Sequence, residues 1–109
     1  MTLNKTADDA SVYYEVVTTV APEIRDAYLD WLGPHVDELL RIDGFVSGEI
    51  FVNTENELEI TSSYRLRDMA AMNAYLEGPA KAMRADGVSR FGDKIQARRR
   101  ILKKYRPSL

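Results

Sequence analysis

Residues 22–45, PEIRDAYLDWLGPHVDELLRIDGF, set a helical stripe between a proline and a glycine, and the rest of the chain has to fit around it. Ile24, Tyr28, Trp31, Leu32, Val36 and Leu39 recur at helical spacing, about 100° per residue, and so share one face. Glu23, Asp26, Asp30, Asp37 and Arg41 fall on the other. Pro22 suits a first turn, where its missing N–H would find no intrahelical partner anyway. Gly44 suits the left-handed close of a helix. Gly33-Pro34 interrupts the middle. Pro34 cannot donate to the carbonyl of Asp30 and crowds that turn, at a cost of about 3 kcal/mol in a regular helix. A kink or a restart is expected there. His35, the single histidine, falls near the centre of the apolar stripe, one turn after Trp31.

Strands flank this helix. VYYEVVTTV, residues 12–20, is rich in β-branched and aromatic residues and free of glycine and proline. Val12, Tyr14, Val16, Thr18 and Val20 share one of its faces, and Tyr13, Glu15, Val17 and Thr19 the other. FVSGEIFVN (45–53) and LEITSSYRL (58–66) read as two more strands joined by a turn, and IQARRRIL (95–102) as a fourth. Between the third and fourth, Asp68 is a good helix N-cap. Met69, Met72, Leu76, Ala80 and Met83 mark a second amphipathic helix, expected to carry Gly78-Pro79 in its middle and to stop at Gly87.

The order is β-α-β-β-α-β, and the Gly-Pro pair recurs at the matching place in its second half. A double βαβ unit of this size is the ferredoxin-like α+β arrangement. Right-handed crossovers put two helices on one face of a four-stranded antiparallel sheet. The other sheet face would carry too many apolar residues for solvent. A homodimer packed sheet to sheet follows as the expectation. The domain is expected over residues 12–105, after a polar, flexible tail at 1–11.

Composition excludes more than it selects. With 109 residues the chain holds one domain, and 45% apolar with 29% charged residues is the balance of a soluble globular protein. Net charge is -2, so nucleic acid is not an expected partner. No cysteine is present, which removes disulfides and thiol chemistry and fits a cytoplasmic setting. A single histidine excludes a multi-histidine metal site within one chain; no metal or cofactor is expected. No apolar run approaches the roughly 20 residues of a membrane span. The first residues lack the apolar core of a signal peptide. No Gly-rich phosphate loop or nucleophile elbow is present.

Three groups of residues bear on chemistry. His35, with an ordinary pKa near neutrality, could serve as a general acid/base or, with no second ligand visible, as a haem or metal ligand, or it could simply pack against a backbone carbonyl or a nearby Glu. Tyr14, Tyr28, Trp31 and Tyr64 could wall a pocket for a planar ligand, or form plain core. In Arg98-Arg99-Arg100, Arg99 shares a face with Ile95, Ala97 and Ile101. A lone arginine on an apolar face would hold a carboxylate, from a ligand or from Glu15 or Glu59.

Several stretches are also familiar: Trp31 with His35, Gly44-Phe45-Val46-Ser47, Tyr64-Arg65, Ala74-Tyr75-Leu76, Pro79, Met83-Arg84-Ala85-Asp86-Gly87, Arg90-Phe91 and Arg98-Arg99-Arg100-Ile101-Leu102. On these, residues 14–102 resemble a bacterial family of small dimeric α+β barrel proteins known as a domain of unknown function. More distantly the chain is similar to the antibiotic-biosynthesis monooxygenase group. That resemblance implies a cavity between sheet and helices. In that group the second helix often carries a histidine after Ala, whereas here Ala74 is followed by Tyr75. The glutamate they often place late in strand three is replaced by Tyr64. Their oxygenase chemistry therefore does not transfer. The expected function is binding or transformation of a small apolar or aromatic metabolite, of cofactor-independent cyclase, isomerase or monooxygenase type. Its alternative is a non-catalytic ligand-binding or dimerisation module.

Overall fold

The computed structural model describes residues 10–106. Its chain order is β1 (Val12–Val20), a 3-10 turn (Pro22–Ile24), α1 (Arg25–Leu39), β2 (Phe45–Asn53), β3 (Asn56–Leu66), α2 (Met69–Glu77), α3 (Ala80–Phe91), a second 3-10 turn (Gly92–Lys94) and β4 (Ile95–Lys103). The sheet order is β2-β3-β1-β4, antiparallel throughout. This is the ferredoxin-like α+β fold. Of the expected tail, residues 1–9 lie outside the described residues. Its last residue, Ser11, is buried and its hydroxyl accepts a bond from Arg65 Nε at 3.0 Å.

The alternation of β1 and β3 decides where the core sits. Val12, Tyr14, Thr18 and Val20 are buried beside Ile60, Tyr64 and Leu66. Tyr28, Leu32, Val36 and Leu39 of α1 pack on them with Met72 and Tyr75 of α2. The opposite sheet face carries two ion pairs, Arg100 to Glu15 at 2.9 Å and Arg98 to Glu59 at 3.2 Å. Around them stand Val17, Leu102 and Phe51, the last half-exposed.

Helix α1 runs without a restart through Gly33-Pro34, and Pro34 lies inside it. Pro34 and Asp30 are both exposed, so the carbonyl that loses its donor faces solvent rather than core. The buried stripe continues on both sides, from Tyr28 and Leu32 to Val36 and Leu39. The helix ends at Leu39 with Leu40 as its cap, so Gly44 does not close it as expected; Gly44 takes φ 95° in the turn that leads into β2. A side chain there would also collide with the Ala71 methyl.

The second helix departs from expectation in three ways. It is split into α2 and α3, because Gly78 takes φ -119° and ψ -97° and Pro79 caps a new helix. The described residues therefore form three helices, not two. Gly87 does not stop α3, which runs on to Phe91 and closes at Gly92, φ 56°. The buried face of α2 is Ala71, Met72 and Tyr75, while Met69 and Leu76 are exposed. The break resets the helical phase, so one stripe cannot be drawn across it. Asp68 does cap α2: its carboxylate accepts from the Ala71 backbone N–H at 2.8 Å.

Candidate functional site

A cavity of about 190 Å³ lies between the sheet and the helices. β1 supplies Tyr14 and Thr18 because its even residues face inward, and β3 supplies Ser62 and Tyr64 for the same reason. β4 pairs Arg99 with Val16, which places Arg99 on the helix-covered face. Helix α1 contributes Tyr28, Trp31 and His35, α2 contributes Tyr75, and α3 contributes Met83, Arg84 and Gly87.

The aromatic rings are packed against one another. Tyr14 stacks on Tyr64 with ring centres 6.0 Å apart, and Tyr75 tilts against Tyr14 at 5.9 Å. Trp31 stacks on His35 at 4.3 Å and 24°. Phe91 meets both Tyr28 and Trp31 edge-on. Gly87 lets the indole approach, since a Cβ there would lie 3.2 Å from Trp31 Cη2. This packing requirement, rather than a helix stop, accounts for the glycine. The indole Nε1 donates to Asp86 Oδ2 at 3.1 Å, which pins its outer edge.

The polar groups differ in how well they are met. Tyr28 donates to the Thr18 hydroxyl at 3.1 Å, and Arg84 donates to the Tyr14 hydroxyl at 3.3 Å. Burial pushes the Tyr28 and Tyr64 hydroxyls up from their ordinary pKa, and it pushes Tyr75 up to about 12. All three stay neutral donors at neutral pH. His35 Nδ1 is buried with no hydrogen-bond partner among the described residues. Desolvation lowers the His35 pKa, against the opposing charges of Asp86 and Glu38. The imidazole is therefore neutral at pH 7. Among the described residues no group of three or more His, Cys, Asp or Glu side chains stands where it could hold a metal ion. No helix among them is long and apolar enough to cross a membrane.

All six residues singled out in the sequence, Tyr14, Tyr28, Trp31, His35, Tyr64 and Arg99, line this one cavity. Sequence reasoning missed Tyr75 and Arg84. Tyr75 lies four residues before Pro79, on the α2 face that the misplaced stripe turned outward. Arg84 carried no signal of its own, because a charged residue on a helix usually marks a solvated face.

The family model described as domain of unknown function (DUF4286) matches residues 11–105. None of the curated proteins matches the chain. Among solved structures, a conserved protein from Methanosarcina mazei is similar with a TM-score of 0.74 at 15% identity, over 91% of this chain and 97% of that one. SnoaB, a cofactor-independent oxygenase from Streptomyces nogalater, is similar in a mutant form at 0.73 with 12% identity, over 90% and 96%. An antibiotic biosynthesis monooxygenase is similar at 0.67 with 12% identity, over 89% and 99%. At these identities the likeness is one of fold.

Proposed function

The chain belongs to the DUF4286 family, a domain of unknown function, and we propose that it binds a small planar aromatic metabolite in the cavity between sheet and helices and acts on it through His35. The observation that carries this reading is the buried Nδ1 of His35, which has no partner among the described residues and belongs to a ring lining the cavity. A merely structural histidine normally satisfies both ring nitrogens. A neutral imidazole in a partly desolvated site is the form a general base needs. Trp31 and the tyrosines supply the flat, apolar walls and a few fixed donors. Volume limits the ligand: an apolar cavity of about 150 Å³ takes benzene, whereas drug-sized ligands occupy roughly 300–1,000 Å³. About 190 Å³ suits a single substituted ring.

The working unit is proposed to be a cytoplasmic homodimer, joined through the sheet face that carries Val17, Phe51 and Leu102. On that face Glu15 is paired with Arg100 and Glu59 with Arg98, so a second copy meets neutralised charge beside apolar residues rather than a field of one sign. Sedimentation equilibrium should give twice the chain mass, and a monomer at micromolar concentration would sink it.

The alternative is a binding module without chemistry, and one experiment separates the two. Acetophenone has exchangeable protons beside its carbonyl. In D2O the wild-type protein should accelerate their exchange, and His35→Gln should abolish the acceleration while still binding the ketone. Binding without accelerated exchange in the wild type supports the module. Absence of saturable binding by any single-ring compound defeats both readings.

A further inference from the structure

The cavity carries positive charge that an aromatic ring does not use. Arg84 enters it from α3 and Arg99 from β4, and none of the residues lining it is Asp or Glu. The strand neighbours of Arg99 are both spoken for on the opposite sheet face, Arg98 by Glu59 and Arg100 by Glu15. The Arg99 side chain makes no hydrogen bond or ion pair among the described residues. Arg84 makes one hydrogen bond, to the neutral hydroxyl of Tyr14 at 3.3 Å. Both guanidiniums act on the same group: their charges favour the ionised form of the Tyr75 hydroxyl, although burial outweighs them. Two cations thus line one cavity, Arg84 from α3 and Arg99 from β4, in a chain whose net charge is -2. The Trp31–His35 stack lines the same cavity.

Two forked donors without a counter-ion match a planar, two-oxygen anion. We infer that the ligand is a small aromatic carboxylate, its ring against the tyrosine and tryptophan walls and its carboxylate between Arg84 and Arg99, with the Tyr75 hydroxyl as a third donor. This rests on the proposed aromatic site and adds its ligand class. Tyr75 remains protonated at neutral pH, its pKa pushed up to about 12, and so is able to donate.

The test uses a matched pair, benzoate and benzamide, which share a ring and nearly a shape but not a charge. Trp31 is the only tryptophan, so quenching of its fluorescence reports on this cavity alone. Benzoate is expected to bind at least about tenfold tighter than benzamide, the worth of one good charge-assisted hydrogen bond. Arg99→Gln and Arg84→Gln should each shrink that preference toward unity, with benzoate losing more affinity than benzamide. If Arg84→Gln does not fold, Arg99→Gln, at an exposed residue, carries the test. Equal binding of the two compounds overturns the carboxylate and leaves the aromatic site standing. A preference that survives Arg99→Gln overturns it too. No quenching by either compound brings down both readings.

Discussion

The chain uses Gly-Pro twice, and the two pairs do opposite things. Gly33-Pro34 lies within a continuous helix, whereas Gly78-Pro79 divides one helix from the next. The dipeptide is the same, so the difference comes from what lies on either side. Around Pro34 the buried residues Tyr28, Leu32, Val36 and Leu39 hold one phase against one sheet. Burying each is worth roughly 1.5–3 kcal/mol, enough together to offset the roughly 3 kcal/mol that an internal proline costs. Around Pro79 the packing asks for a turn. Met72 and Tyr75 face the sheet before it, while Ala80 and Gly87 are buried after it, with Gly87 lying against Trp31. Proline breaks a helix only where tertiary contacts do not insist on continuity.

The sharpest way to break this comparison is to remove the packing that overrides Pro34. Leu32→Ala, at a residue 2% exposed, should cost about 2–5 kcal/mol in urea unfolding. Its counterpart on the split side, Leu76→Ala, at 37% exposed, should cost well under half of that. Equal losses would mean that the stripe on α1 is not what holds the helix together.

Next in size are the prolines themselves. Pro34→Ala restores a helical donor and should raise stability by about 1–3 kcal/mol, less the smaller entropic advantage of proline in the unfolded chain. Pro79→Ala restores nothing at a helix start and should lower stability by about 0.4–1 kcal/mol. Opposite signs are the expected result, and the same sign for both would collapse the contrast.

A smaller effect belongs to Gly87→Ala. Alanine favours a helix by about 1 kcal/mol, but its methyl would press on the indole at 3.2 Å. Overpacking of about 1–3 kcal/mol should win, giving a net loss near 1 kcal/mol and a shifted Trp31 emission maximum. A stabilised variant with unchanged emission would place the indole elsewhere.

The finest probe is His35, which directly follows Pro34. Burial holds its folded pKa below the ordinary 6.5, so the fold favours the neutral ring. The resulting support is fully present above pH about 6.5 and is lost as pH falls through that value towards the folded pKa. NMR titration of this single imidazole should show the depressed pKa in both the wild type and Pro34→Ala, because the helix keeps its phase in either. A pKa above about 7 would show a carboxylate, not burial, in control.

These contrasts also show what the sequence could carry. Strand alternation in Val12–Val20 grouped Tyr14 with Val12, Val16, Thr18 and Val20 without saying which face is inward, and the α1 stripe grouped Tyr28, Trp31 and His35; burial of Tyr14 settles that its face is the inner one. Arg99 was readable only as one of two faces; its pairing with Val16 settles which. Periodicity failed where the phase resets. Drawing one stripe through Gly78-Pro79 chose Leu76 over Tyr75 and turned a cavity residue outward. Gly87 looked like a stop because a glycine's need to admit a neighbouring ring leaves no mark in its own helix. Arg84 is a long-range matter, decided by Tyr14 seventy residues away.

The sheet order has a consequence for how the molecule is made. The first strand ends up between the third and the last, with Val12 opposite Lys103. During synthesis β1 emerges first and waits for nearly the whole chain before its second edge is paired. Until β4 arrives that edge offers unpaired backbone groups to any other strand. Such long-range closure makes for slower folding than a helical bundle of the same size, in the intermediate range of mixed α/β domains. It also binds the two halves into one cooperative unit: a nascent chain lacking residues 95–103 has all three helices but not the fourth strand. Its window of vulnerability closes only when β4 pairs with β1.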